Sequence, residues 1–311
     1  MKRYSVKHTY QRVLKFLLTD IWHLDLSEFS IMKARMIRYL KVLLITMKGF
    51  STDKAGLQAT SLSFFSAMSV VPFVALIFAI TNGFGYDVKL QELFYKYFEG
   101  NEQIIEYLLK FAYNIISTLK NGIFGVINFL FLISTIIFLM LNIEKSFNDI
   151  WKVEGGRAFH KRLASYTLLL LVSPLVILIF FTLGLIYTNA LKSLGFQIDR
   201  FIPVTSIFTW LSIYALVTVA FTIMYFLIPN TKVKFAAAFN SALILAFAFI
   251  VVQFFYLETQ ILVSGLNAVY GVFAAIPLFL VWMNISWTLI LFGAELSHAF
   301  QNVDSYKIDN G

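Results

Sequence analysis

Residues 229–257 read PNTKVKFAAAFNSALILAFAFIVVQFFYL, and the last 22 of them, 236–257, carry no charge. At ~1.5 Å per residue a helix of that length covers roughly 33 Å, about the thickness of a bilayer's hydrocarbon core. The stretch therefore reads as a membrane span. Before it, residues 204–228 form a second apolar run, and Pro229 and Asn230 end that helix and force a tight reversal over 229–235. The two runs are expected to be antiparallel neighbours.

Working outward, four more apolar stretches of spanning length lie at 59–81, 123–142, 163–188 and 269–297. Hydrophobic residues make up 59% of the 311 positions and charged residues 14%, a balance that suits lipid rather than water as solvent. The expected fold is an all-α membrane protein, a six-span transmembrane helical bundle with amphipathic N-terminal and extracytoplasmic helices. Its parts are a basic, interfacial N-terminal segment (1–54), one six-span domain (55–298) and a tail (299–311). The basic N-terminus, with Lys2, Arg3, Lys7, Arg12 and Lys15, lacks the apolar region and cleavage site of a signal peptide, so no clipping is expected. The absence of cysteine excludes disulfides and thiolate metal sites.

Orientation follows from Lys and Arg, which resist transfer across the bilayer during insertion. The N-terminal segment, the 143–162 loop, the 229–235 turn and the tail together hold 19 of the 25. The opposite side has 6, mixed with acids such as Asp87, Glu92, Glu99, Glu102, Glu106 and Asp199. Both termini are expected in the cytoplasm. The net charge of +8 is then a membrane flank and not a groove for nucleic acid.

Two segments outside the spans have helical apolar spacing. In 33–48, Met36, Ile37, Leu40, Leu43, Leu44 and Met47 share one face, with Arg38, Lys41 and Lys48 on the other. This reads either as an interfacial helix on anionic lipid or as a short helix packed on the bundle. On the far side, Ile104, Ile105, Leu108, Leu109, Ala112, Ile115, Ile116 and Leu119 form a second stripe, either a cap over the outer mouth or a surface helix.

Polar residues inside spans are expensive unless they face other helices or water. Asn128, Thr135 and Asn142 stand seven apart and share a face; Tyr270, Asn284, Thr288 and Glu295 line up along the last span. They read as a path or polar hub, or as interhelical hydrogen bonds without further function. Glu295, the one acid well inside the last stretch, reads as a proton or cation site, or as an anchor near the cytoplasmic end. Pro72, Pro174 and Pro277 fall within spans and are expected to kink or break them. Ala55, Ala59, Ser63 and Ala67 form a ridge of small residues that permits close helix approach, within one protomer or in a homo-oligomer.

The order of these features resembles the YihY/virulence factor BrkB family, also labelled ribonuclease BN-like, from about residue 55 to 298. The matching residues are Leu62, Ser63, Ser69 and Pro72; Asn148, Ile150, Trp151 and Val153, then Arg157 and Arg162; Tyr225, Leu227, Pro229 and Asn230; and Tyr270, Gly271, Ala274, Trp282, Gly293, Ala294 and Glu295. Phe64, Ser241 and Asn284 depart from it, standing where Tyr, Gly and Tyr are usual. The resemblance implies an inner-membrane protein linked to the envelope or to transport.

The ribonuclease label is rejected on the residues. His8, His23, His160 and His298 are scattered, and no paired-carboxylate, nucleophile or phosphate-binding motif is evident. Glu144, Asp149 and Glu154, beside five cations, read as surface salt bridges. No catalytic residue, cofactor or metal is expected. The leading expectation is a transporter or lipid-handling protein of the bacterial cytoplasmic membrane, multi-pass and not itself ATP-driven. Its expected partners are lipids with anionic headgroups at the cytoplasmic face, and no nucleic acid. The rival is a structural or assembly factor of the envelope, whose polar stripes would pack dry.

Overall fold

The computed structural model describes residues 19–24, 28–83, 122–155, 204–264 and 268–306, with isolated positions between 16 and 117. A 3-10 turn at Asp20–His23 precedes six helices among the described residues: α1 (Ile31–Thr52), α2 (Ala55–Gly83), α3 (Gly122–Ile150), α4 (Val204–Leu227), α5 (Phe235–Ser264) and α6 (Ala268–Asn302). There is no strand among them. Among the described residues, segments of three helices are long and apolar enough to cross a membrane: Trp210–Leu227, Phe235–Thr259 and Pro277–Asn302. The expected span at 163–188, with Pro174, lies outside the described residues. Of the stripe at 104–119 only Leu109 has a described side chain, and it is buried.

The helices outrun the apolar stretches because nothing in the flanking sequence stops them. α6 continues through Leu296 to Asn302, so at 35 residues it is far longer than a bilayer is thick. Pro72 and Pro277 lie inside α2 and α6, and both helices continue through them unbroken. Each proline deletes one backbone donor, and the intact bonds on both sides keep the helix in register.

α6 is the central post and contacts every other helix. Its partners gather at one end of the bundle, where α3, α4 and α6 finish, α2 and α5 begin, and the last turn of α1 arrives from the opposite direction. The buried core lies there: Ala55, Ala59 and Leu62 from α2, Phe147 and Ile150 from α3, Phe221 and Tyr225 from α4, Ala238, Ala242 and Leu245 from α5, and Leu291, Ala294 and Ala299 from α6. Lys54, Lys152, Lys232 and Lys234 mark the same end. The alanine-rich ridge of α2 is spent within the protomer, since Ala55, Ala59 and Ser63 are buried and α2 packs on α6.

α1 runs antiparallel along the last turns of α6. Arg38 pairs with Asp304 at 2.8 Å, the Tyr39 ring meets Phe300 edge-on, and Phe50 meets Phe292. Between these contacts Gly49 lies against Glu295. The helix is therefore packed on the bundle, and the side it buries differs from the one its apolar spacing suggested. Lys41, Val42, Ile45 and Thr46 are buried, while Met32, Met36, Tyr39, Leu43 and Met47 are exposed. Close approach to α6 selects the slimmer side with Gly49 and Thr46.

Where α4, α5 and α6 meet, a Cβ on Gly293 would collide with the Tyr225 hydroxyl and the Leu245 side chain. The Ser241 hydroxyl donates to the Gly293 carbonyl at 2.5 Å, so the serine at this departure from the family pattern ties α5 to α6. Gly293→Ala is accordingly expected to lower stability by about 1–3 kcal/mol through overpacking, read as a drop in the thermal unfolding midpoint in detergent. An unchanged midpoint would contradict this three-helix contact.

Candidate functional site

The described polar residues of α6 sort into two faces. On one, Trp282 Nε1 donates to Gln253 Oε1 at 3.0 Å, and four residues further Ser286 is buried. On the other, Asn284 Nδ2 donates to Thr60 Oγ1 at 3.1 Å and reaches Ser63 Oγ at 3.5 Å, and Trp287 Nε1 donates to Ser66 Oγ at 2.8 Å. Thr288 bonds back to the Asn284 carbonyl. Asn142 and Thr135 do the same on α3, donating to Phe138 and Phe131 of their own helix. The side chains of Asn128 and Tyr270 are not among those described. Thus Asn284 joins α6 to α2, Asn142 joins no other helix among the described residues, and Glu295 stands apart with other partners.

Glu295 is 2% exposed, three turns beyond Asn284 and close to the end of α6. It fits there because Gly49 presents no side chain: a Cβ on Gly49 would fall on the carboxyl. One turn on, α1 ends and Asp53 stands as its C-cap with its carboxyl beside that of Glu295. Lys152 forms an ion pair with Asp53, and its ammonium is the cation facing both acids. Glu295 Oε1 has no hydrogen-bond partner among the described residues. His298, one turn further along α6, meets the Trp151 ring edge-on at 5.1 Å.

Two helix ends set this geometry. At the end of α3, Val153 N–H donates to Asn148 O and Lys152 N–H to Asp149 O, the paired bonds of a Schellman cap. Such a cap places its C′ residue in the left-handed region, where glycine is usual; here that residue is Lys152, at φ 54°. The α1–α2 turn repeats the arrangement with Lys54 at φ 52°, whose N–H donates to Ser51 O. Each lysine accepts backbone strain of about 1 kcal/mol and brings a cation to a helix C-terminus, which favours positive charge.

Above the ion pair an open cleft of about 400 Å3 is lined by Asp53, Gln58, Asn148, Asp149, Lys152, Val153 and Glu154. Gln58 Nε2 bridges its walls, donating to Asp53 O and to Asp149 Oδ2, each at 3.3 Å. Asn148 Oδ1 accepts the Asn230 N–H at 2.8 Å, which fixes the α4–α5 turn to α3. Gln301 clamps the same turn to α6, accepting from Lys234 N–H at 2.7 Å and donating to Lys232 O at 3.1 Å. Of the acids read as surface salt bridges, two differ from that picture, and three of their five neighbouring cations, Arg157, Lys161 and Arg162, lie outside the described residues. Glu144 is buried, and Asp149 bonds an amide. Among the described residues no group of three His, Asp or Glu could hold a metal ion.

Asn148, Trp151, Tyr225, Pro229, Asn230, Gly293 and Glu295, singled out in three separate stretches of sequence, thus gather at the basic end, while Ser63 and Trp282 lie further along the bundle. Sequence reading missed Gly49, Asp53 and Gln58, and counted Lys152 only as a loop cation. The usable signal was Gly49 and Asp53 one turn apart ahead of the small-residue ridge.

Replacing Lys54 by glycine is expected to raise stability by roughly 0.5–1 kcal/mol as left-handed strain is relieved. Lys152→Gly should gain less, because it also removes the partner of Asp53. Paired denaturation curves of the two variants check the ordering, and an equal gain in both would mean that the ion pair contributes nothing.

Comparison with known proteins places the chain. Residues 46–310 match the family described as virulence factor BrkB. A UPF0761 membrane protein of Alcanivorax borkumensis is 29% identical over 265 residues, covering 82% of this chain and 59% of that protein. One of Paraburkholderia xenovorans is 30% identical over 259 residues, covering 80% and 57%, and one of Haemophilus influenzae is 26% identical over 271 residues, covering 84% and 95%. The chain spans less than two thirds of the length of the first two relatives. No solved structure matches it. With the match running from the end of α1 through the candidate site to the tail, the chain belongs to the virulence factor BrkB family and is a membrane protein.

Proposed function

We propose that this protein is a non-enzymatic, gradient-driven or passive transporter or lipid-handling protein of the bacterial cytoplasmic membrane, with the Glu295 site at its cytoplasmic gate. The carrying observation is Glu295 itself: an acid buried in an apolar helix, its Oε1 without a partner among the described residues, directly behind an open polar cleft. An ionisable group in such a segment is costly and marks an ion or substrate path in the first instance. Reconstituted liposomes are expected to show solute flux or lipid translocation above empty vesicles, with at least a severalfold loss in Glu295→Gln. Equal activity in wild type and variant, or none in either, would remove the reading.

A six-span topology with both termini in the cytoplasm accompanies this proposal. It is supported by α3 and α4 ending at the same basic end of the bundle, as that span order requires, and by the bias of Lys and Arg toward that side. Because the chain has no cysteine, single substitutions report orientation directly. Lys152→Cys should react with an impermeant maleimide only from the cytoplasmic side of membrane vesicles, and Glu106→Cys only from the other. The reverse pattern would overturn the orientation. The exposed stripe of α1, flanked by Lys33 and Arg35, supports contact with anionic headgroups.

A second reading, a structural or assembly factor, is favoured by one observation. The described polar groups of Asn284, Trp287, Trp282 and Ser241 are all taken up by neighbouring helices. Absence of flux together with an intact fold would decide for it.

A further inference from the structure

The cleft is acidic inside a basic surround. Among the described residues lining it, Asp53, Asp149 and Glu154 set three carboxylates against the one ammonium of Lys152, with the amides of Gln58 and Asn148 between them. α1 and α3 both end at its wall, and the carbonyl end of each helix acts as roughly half a negative charge. Behind Asp53 the Glu295 carboxyl adds an acid whose Oε1 no described group satisfies, although it is 98% shielded from solvent by the surrounding helices, being 2% exposed.

The ammonium facing Asp53 is the chain's own. Lys152 reaches Asp53 from a left-handed backbone position; its side chain is 59% exposed whereas that of Asp53 is 7% exposed. The carboxylate is thus fixed in the protein, and the cation is the loose member, on a flexible four-carbon stem. An anion entering here would meet three acids. A bare metal ion lacks a ligand set of three His, Asp or Glu among the described residues. The cleft volume of about 400 Å3 falls in the range of small-molecule sites.

We propose that the cleft binds a small organic cation, a primary ammonium or guanidinium compound, and that Lys152 is a tethered occupant which the ligand displaces from Asp53. The assignment deepens the transport reading by naming the ligand class, and it rests on that reading for what the bound cation is for. Binding needs no covalent step: the ligand's N–H groups replace those of Lys152 on Asp53 and extend to Asp149 and the Gln58 amide oxygen.

The test uses the full chain in nanodiscs, titrated by calorimetry with putrescine and with guanidinium chloride, and with magnesium chloride and sodium phosphate as comparators. Saturable binding of putrescine or guanidinium is expected, tightened roughly five- to tenfold in Lys152→Ala, where an exposed competing ion pair is gone, and abolished in Asp53→Asn. Should Asp53→Asn fail to fold, the exposed Asp149→Asn is expected to weaken binding severalfold. No saturable binding in wild type and Lys152→Ala, affinity indifferent to Lys152 and to the acids, or preference for magnesium or phosphate would each overturn the proposal. Glu295-dependent flux without cation binding would defeat the ligand assignment alone. Cation binding without flux would defeat the transport reading and leave the site standing.

Discussion

The structure depends on two places where α6 comes close enough to a neighbour for a single glycine to decide the fit. At Gly293 the missing side chain admits the Tyr225 hydroxyl from α4, while Ser241 of α5 bonds the same residue's carbonyl. At Gly49 the space belongs to the Glu295 carboxyl, which α1 covers by passing directly over it. In lipid the hydrophobic effect gives helices no reason to associate, since acyl chains solvate leucine as well as another helix does. What holds them is close packing and a few hydrogen bonds, and both are concentrated along α6.

That arrangement explains where charge gathers. α3, α4 and α6 finish at one end of the bundle, the last turn of α1 meets them there from the opposite direction, and each brings unsatisfied carbonyls and the negative end of its dipole. The chain answers with lysines in the caps, Lys54 and Lys152, and with side-chain amides: Gln58, Asn148 and Gln301 bond across turns that would otherwise leave backbone groups unpaired. Asp53 and Glu295 are the exceptions to this economy. Placing two acids beside one exposed lysine costs more than a neutral cap would, which is why the site invites a role beyond holding the helices together.

The arrangement also separates surfaces by solvent. The outer faces of α4 and α5 carry Trp210, Leu216, Ile223, Phe247 and Phe255 exposed, while alanines and small hydroxyls face inward.

The sequence by itself determined the helical class, the antiparallel reversal at Pro229 and Asn230, the basic side of the bundle and the family, because span length, turn residues and charge bias are local properties that no tertiary contact can cancel. It also marked Glu295, since an acid within an apolar run is conspicuous without any structure. Only the tertiary structure decided what Glu295 faces. Gly49 and Asp53 of α1 lie about 240 positions away, Lys152 arrives by a helix cap, and the buried side of α1 was misjudged because close approach at Gly49, and not apolar spacing, selects it. Partnership across helices depends on which side chains leave room, and that is a property of two surfaces meeting, which neither strand of sequence contains.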